Sequence, residues 1–586
     1  MNSMRQHCSH LETFAQRSFN YLVDNYDPAV GTPYFWTFMR MRPPEFRHDA
    51  WDVGDGMGRR LDALVTCRIM TGSSDGAARE AEFRKTLYSC FHDPYGLLWR
   101  PEAPWCQVVA EMMDQASSIF GVVSDYLETG SSQAEAIIEQ LARGLTEIAV
   151  RDGKGLYFPG STYFPNGWTS TGPLAAGPHD HRQDPTWVEG DPAYYGRLLI
   201  PFTKYAQVSG SKAAMELCQG MAYNIVYQSN RYGPNGEFSR AMHGEGSVWT
   251  NGHFHSRYAT SAGLARLALL TGDCQYADFA RKVFNWGLEQ GTLFGWFPEF
   301  SGRRCVEEGC ETCTITDAID LAIQLAKLGD KRGYELAERF ATNHLVESQV
   351  WDVNFCDKVT RKQDTRMSSF DRVAERSVGG FAGWSACNDL ISNYEDPGWD
   401  TDGTRPDVRR TLMDCCGGYA NRGLYLAWHN ALAVLGKRVT LHMLVSRRTK
   451  EAAIQNLMPQ RDLLKVTLNQ PGELAVRIPS SAVKGKIAAT SGGKNLSFST
   501  EANYLVLGNV QRDQAVEISF GFAPRKESIT TGEQGLNAVL NYDVTWLGDR
   551  VIGISPSGRF SPSYNHRAGT AAVDLSCHLP PKEIAW

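Results

Sequence analysis

The chain has 586 residues, with 59 Lys+Arg against 65 Asp+Glu for a net charge of −6, 42% hydrophobic and 21% charged residues. At roughly 100 to 200 residues per domain this is too long for one ordinary core, so two to four domains are expected and a lone small binding module is excluded. The balance is that of a globular chain rather than a disordered or fibrous one, and without a basic excess it gives no reason to expect a nucleic-acid partner.

From the N-terminus, Met1 to His10 lacks the apolar stretch of a secretory signal. A cytoplasmic location is therefore expected, with export left open. Apolar runs such as Leu264 to Leu270 are far shorter than the roughly 20 residues of a membrane span, so no membrane partner is expected. Helical periodicity then dominates to about residue 436. Met57 to Met70, Gln107 to Leu127, Tyr194 to Val208, His253 to Leu270 and Ala318 to Leu328 place apolar residues at steps of three and four. Matching stops occur at Thr71-Gly72, Thr129-Gly130, Ser209-Gly210, Thr271-Gly272, Leu328-Gly329 and Leu435-Gly436. Glycine just past a helix accepts the left-handed conformation that closes the last turn, and after the first five stops a polar stretch can start a second helix. The repeated unit is a helical hairpin, which predicts a mainly α fold: an (α/α)6 toroid over residues 1–436, with an open solenoid as the alternative. The polar insert from about Val350 to Asp414 is too long for a simple connection.

After Gly436 the period becomes two. Val439 to Val445, Leu463 to Leu468, Leu474 to Ile478, Tyr504 to Leu507 and Ala515 to Ser519 alternate or are β-rich and are separated by turn residues, which predicts a β-sandwich over 437–526. Residues 527–586 carry a few more strand candidates, including Val551 to Ile554.

The 14 cysteines are uneven: Cys305, Cys310 and Cys313 cluster, and Cys415 and Cys416 are adjacent. Such clusters favour metal binding or catalysis over staples, while the remaining nine, Cys67, Cys90, Cys218 and Cys274 among them, read as buried small hydrophobes. Cys310-Glu311-Thr312-Cys313 opens one helix and Cys415-Cys416-Gly417-Gly418 the last helix of the toroid. Zn²⁺ takes thiolate, imidazole and carboxylate ligands in a tetrahedron, so three or four of these side chains can close around one ion. Spacing alone leaves open a four-cysteine site, a site using Glu311, and a zinc that only pins two helices.

The Glu311-Thr312-Cys313 segment, the Cys415-Cys416 pair and the sandwich after them resemble glycoside hydrolase family 127, the β-L-arabinofuranosidase group. The resemblance implies a zinc held by one glutamate and three cysteines, here Glu311, Cys313, Cys415 and Cys416, with Cys415 as the nucleophile of a retaining mechanism. Gly252-His253 is similar to the family's Gly-His, which opens an inner helix and reaches the sugar, and Gly295 to Phe300 to the segment whose glutamate, here Glu299, is the general acid/base. Glu473 to Pro479 and Asn503 to Pro524 look like its sandwich strands. Two departures stand out: Gly196-Arg197 where the family tends to have a second Gly-His, and Cys415-Cys416-Gly417-Gly418 where it has Cys-Cys-Pro-Pro. Arginine's planar fork pairs with carboxylates, so an acidic sugar becomes an alternative substrate. Glu307 or Glu308 is the rival acid/base, because Glu299 stands close in sequence to Glu311.

His179, Asp180, His181 and Asp184 precede an inner helix and are candidates to line the cleft; Trp51, Asp52 and Asp55 are candidates to meet sugar hydroxyls, and His255 is read as a core histidine before a sugar contact. The expectation is a zinc-containing retaining glycosidase acting on a terminal furanoside, most of all β-L-arabinofuranoside. A same-fold enzyme for another sugar and a noncatalytic, zinc-stabilised carbohydrate-binding protein are the alternatives. The expected partner is a carbohydrate, with a homodimer left open.

Overall fold

The computed structural model describes residues 5, 7–40, 44–47, 52–101, 108–160, 162–165, 167–168, 195–229, 231–238, 252–301, 309–355, 363–364, 368–392, 408–531, 540–568 and 575–586. Among them are thirteen α-helices: α1 (Leu11–Asp24), α2 (Asp52–Thr71), α3 (Ala77–Ser89), α4 (Met112–Thr129), α5 (Ser132–Ile148), α6 (Leu199–Ser209), α7 (Lys212–Tyr223), α8 (Phe254–Thr271), α9 (Cys274–Gln290), α10 (Thr312–Lys327), α11 (Gly333–Phe340), α12 (Val373–Ser377) and α13 (Asp414–His429). Sheets dominate the chain beyond α13, so the protein is mainly α with a β-rich C-terminal part. None of these helices is long and apolar enough to cross a membrane.

Helices α2, α4, α6, α8, α10 and α13 each pack on the next, and α13 returns to α2, closing a ring. Helices α1, α3, α5, α7, α9 and α11 lie against the ring from outside. The hairpin stops work as glycine chemistry demands. Gly72, Gly130, Gly210 and Gly272 have φ between 68° and 76°, and each N–H returns to the carbonyl four residues back. The next helix is then capped: the Ser131 hydroxyl accepts from the Ala134 N–H at 3.2 Å, Ser211 from Ala214 at 3.2 Å and Asp273 from Gln275 at 2.8 Å. Outer helices bury one stripe. In α5 this is Ala134, Ile138, Leu141 and Leu145, each large aliphatic contributing about 1.5–3 kcal/mol; Leu141→Ala would cost about 2–5 kcal/mol. Inner helices are buried nearly all round, as in Thr312 to Leu325 of α10.

The sixth expected stop is different. Leu435-Gly436 does not end a helix: α13 stops at His429, and Gly436 turns a hairpin between the strands Leu432–Leu435 and Arg438–Leu441. Glycine with positive φ serves both turns, and the sequence around it does not distinguish them. Cys274 also departs from expectation, since it is exposed while Cys67, Cys90 and Cys218 are buried.

That hairpin begins a five-stranded sheet, which faces a six-stranded one. Val439, Leu441, Leu474, Val476, Leu505 and Leu507 from the first share a core with Ile454, Leu464, Val466, Val516 and Ile518 from the second, as period-two strands with one apolar face require. The strand Pro524–Thr531 spans residue 526 and opens a further three-stranded sheet with Leu540–Leu547 and Arg550–Ser555. Its Val544, Trp546 and Val551 join the core of the helical part. One carboxylate ties these regions together: Glu338 of α11 meets Arg477 at 2.5 Å and Arg550 at 2.7 Å and accepts from the Leu444 N–H at 2.7 Å. At the end of the chain, Trp586 donates to the Ser124 hydroxyl at 3.0 Å and lies under the Arg422 guanidinium.

Candidate active site and metal centre

The starts of α8, α10 and α13 meet, and several of the residues singled out by the sequence stand there. Cys313 stands in the first turn of α10, Cys415 and Cys416 in that of α13, and Glu311 caps α10. One donor atom from each of Glu311, Cys313, Cys415 and Cys416 lies within 4.8 Å of every other, and all four side chains are buried. The sulfurs of Cys313 and Cys416 are 3.3 Å apart, and Cys416 Sγ is 4.0 Å from Glu311 Oε1. Four donors about 2.0–2.3 Å from a zinc ion stand roughly 3.3–3.8 Å apart. The group therefore has the donor chemistry and spacing to hold a tetrahedral metal.

The structure separates Glu311 from Cys310. These two residues form a short strand paired with Trp384–Ser385, and in a strand adjacent side chains point to opposite faces. Glu311 faces the cysteines, while Cys310 Sγ turns away and accepts from the Phe297 N–H at 3.4 Å. Glycines 417 and 418 permit close packing at the start of α13. A Cβ on Gly417 would fall 2.4 Å from the Tyr21 ring, and one on Gly418 3.0 Å from the Arg59 backbone. A larger residue at 417 would require the Tyr21 side chain to shift, and one at 418 would press on the Arg59 backbone. Beside them, Asp414 is buried against Arg60, at 2.7 Å from its Nε, and accepts from the Tyr21 hydroxyl at 3.2 Å.

Three residues around the cluster carry no motif signal. Arg59 of α2 places Nη1 3.1 Å from Cys313 Sγ and 3.4 Å from the Cys415 carbonyl oxygen, and is paired with Asp55 at 3.2 Å. Ser117 Oγ accepts from Arg59 Nε at 3.2 Å. Asp317 accepts from the Tyr419 hydroxyl at 2.9 Å and meets His255 Nδ1, while His255 Nε2 lies 3.2 Å from Arg59 Nη2. His255 is thus a satisfied core histidine. The visible trace of this network in the sequence is the adjacent pair Arg59-Arg60 within an inner helix, both fully or nearly fully buried.

Electrostatics distinguish the thiols. Burial opposes ionisation of Cys313, but donation from the thiols of Cys415 and Cys416 and the Arg59 charge hold it well below the usual thiol range. Burial, with the neighbouring Cys313, pushes Cys415 and Cys416 well above it. Burial also raises Glu311, partly offset by His253. A bound dication takes the place of such protons.

His253 caps α8 and places Nε2 2.8 Å from Glu311 Oε2, with Nδ1 2.8 Å from Ser256 Oγ. The structure therefore sets it against the Glu311 carboxylate, where it fixes that side chain's orientation. Glu299 is buried, and its carboxylate lies within 4.8 Å of the His253 ring nitrogen and of Glu311. Arg197, buried in the turn before α6, donates to Ser256 Oγ at 2.5 Å; its Nε has no acceptor among the described residues. Asp52 is the first residue of α2. His179, His181, Asp180, Asp184, Trp51, Cys305, Glu307 and Glu308 lie outside the described residues.

No protein-family model matches the chain, and no curated protein matches it in sequence. Solved structures do. A family 127 β-L-arabinofuranosidase from Geobacillus stearothermophilus T6 aligns with TM-score 0.54 at 14% identity, over 85% of this chain and 77% of its own. A family 127 β-arabinofuranosidase aligns with TM-score 0.56 at 14% identity, over 94% and 82%, and a structure described as a glycoside hydrolase with TM-score 0.55 at 13%, over 86% and 77%. At these identities the likeness is one of fold, and it extends through both the helical and the β-rich parts.

Proposed function

We propose that this chain is a zinc-containing retaining glycoside hydrolase of the family 127 type, releasing a terminal sugar with Cys415 as nucleophile and Glu299 as acid/base. The observation that carries the reading is the convergence of Glu311, Cys313, Cys415 and Cys416 within 4.8 Å, with Glu299 beside Glu311. In this reading the helices through α13 form an (α/α)6 catalytic toroid, the two facing sheets that begin at Leu432 a β-sandwich, and the chain from Pro524 an additional β-rich segment. β-L-Arabinofuranose is the leading sugar, since one structural neighbour is described as a β-L-arabinofuranosidase and another as a β-arabinofuranosidase.

Zinc held by Glu311, Cys313, Cys415 and Cys416 would keep the thiols deprotonated. The Cys415 sulfur attacks the anomeric carbon, forming an S–C bond as the bond to the leaving oxygen breaks. Glu299 gives that oxygen its proton. Glu299 then takes a proton from water, whose oxygen attacks the same carbon and breaks the S–C bond, returning the thiolate. Two inversions give net retention, and the covalent intermediate splits one difficult step into two. Cys415 is 4% exposed while Cys313 and Cys416 are fully buried, which favours it as the sulfur that meets a substrate.

Arg197 supports a second reading. Its guanidinium is buried and its Nε lacks an acceptor among the described residues; leaving such a donor unsatisfied is costly, and a sugar carboxylate would satisfy it. A panel of aryl furanosides and uronides tests both: turnover by the wild-type chain and none by Cys415→Ser is expected, and the preferred sugar separates the two readings. Sugar binding without turnover anywhere in the panel would point instead to the noncatalytic carbohydrate-binding protein.

A further inference from the structure

A second group of metal-ligating side chains sits at the other end of α13. His10, which caps α1, Glu12 in its first turn and Cys577 from the C-terminal segment bring a ring nitrogen, a carboxylate oxygen and a sulfur within 4.8 Å of one another. His10 and Glu12 are buried and Cys577 half-buried. His10 Nε2 lies 3.4 Å from Cys577 Sγ and 3.2 Å from the Ser576 carbonyl oxygen. The nitrogen–sulfur spacing falls within the roughly 3.3–3.8 Å edges of a tetrahedron of nitrogen, oxygen and sulfur donors around zinc, and the nitrogen–oxygen spacing just below them.

Two of the three, His10 and Glu12, are also oriented from behind, as metal ligands are. Thr13 Oγ1 is 2.9 Å from His10 Nδ1, which in the Nδ1–H tautomer leaves the Nε2 lone pair facing the cluster. Glu12 is fixed by the Trp428 indole N–H at 3.1 Å on one oxygen and by the His578 N–H at 2.7 Å on the other. A carboxylate oxygen has two lone pairs, so each can still meet a cation. Imidazole, carboxylate and thiolate together select a borderline-soft ion such as Zn²⁺ over Mg²⁺ or Ca²⁺.

We infer that His10, Glu12 and Cys577 form a second, structural zinc site, with the Ser576 carbonyl or a water as fourth donor. It clamps the C-terminal segment to the start of α1. The residues it joins are distant in sequence, so the ion closes nearly the whole chain into a loop and holds in place the tail that carries Trp586 into the ring. The site stands or falls independently of the catalytic reading.

The probe is zinc alone on the full chain. Metal analysis after dialysis should find two zinc ions per chain, falling to one in Cys577→Ser and in Glu12→Gln, with helical circular dichroism unchanged. Iodoacetamide labelling mapped by mass spectrometry supplies a readout on the unaltered chain: Cys577 should be protected in the zinc-loaded protein and labelled after chelation. Equal zinc content in wild type and both variants, or labelling of Cys577 indifferent to chelator, would overturn the site. Loss of the sole zinc in Glu311→Gln and its retention in Cys577→Ser would overturn this site while leaving the first intact.

Discussion

Arg59 Nη1 lies 3.1 Å from Cys313 Sγ, while toward Cys415 the same nitrogen reaches the backbone carbonyl. A charge-assisted hydrogen bond draws electron density from the sulfur that accepts it. Arg59 thereby stabilises negative charge on the Cys313 sulfur, while at Cys415 it meets the backbone oxygen rather than the thiol. Removing an orienting partner behind a metal ligand typically weakens metal binding roughly 10–100-fold. Arg59→Met should therefore lose zinc to a chelator that the wild type resists, and Arg59→Lys, which keeps the charge, should recover part of the difference.

The opposite facing of Cys310 and Glu311 gives a sharp pair of variants. Glu311→Gln should reduce the zinc of the cysteine cluster strongly. Cys310→Ser should leave it unchanged, because that sulfur faces the Phe297 backbone. Metal analysis of the two proteins side by side checks this, and a reversed result would restore the four-cysteine arrangement.

If Glu299 protonates the leaving oxygen, Glu299→Gln should lose roughly 10²–10⁴-fold on substrates with poor leaving groups and far less on an activated aryl glycoside. Cys415→Ser should fail on both. Leaving-group dependence in Glu307→Gln or Glu308→Gln, with Glu299→Gln like wild type, would move the acid/base to that pair.

Acid stability should depend on Glu347. Burial disfavours its charge, but Arg567 at 2.6 Å, His566, Arg5 at 3.2 Å and the Tyr564 N–H outweigh burial and pull its carboxyl down to about 2. A carboxylate with a depressed folded-state pKa stabilises the fold above its unfolded value of about 4.5, and that stabilisation is lost as pH falls toward 2. The contribution is about 3 kcal/mol. Thermal unfolding should show wild type losing more stability than Glu347→Gln between pH 5 and pH 2, with the variant already weaker at pH 7.

Much of the helical ring was legible because its stops are local: a glycine that adopts positive φ and a capping serine or aspartate leave their mark within a few residues. Gly436 misled for the same reason, since a hairpin turn asks for the same residue. The cysteine clusters were legible by type, but the choice between Cys310 and Glu311 depends on strand pairing with residues far along the chain. Ser117 and Asp317 left no signature, and Arg59 only the trace of an arginine pair, because buried polar partners are assembled by the closing of the ring rather than by spacing. His253 was placed at the right helix start, yet its contact with Glu311 is a relation between helices that neither segment encodes alone.

The most direct test of the central claim is the stereochemistry of hydrolysis, followed by NMR as the first product forms. A protein nucleophile at Cys415 requires the released sugar to appear first in the same anomeric configuration as the substrate, with the other anomer arising only by later mutarotation. A first product of inverted configuration would contradict the account, since it requires direct attack by water and leaves the Cys415 sulfur no bond to form.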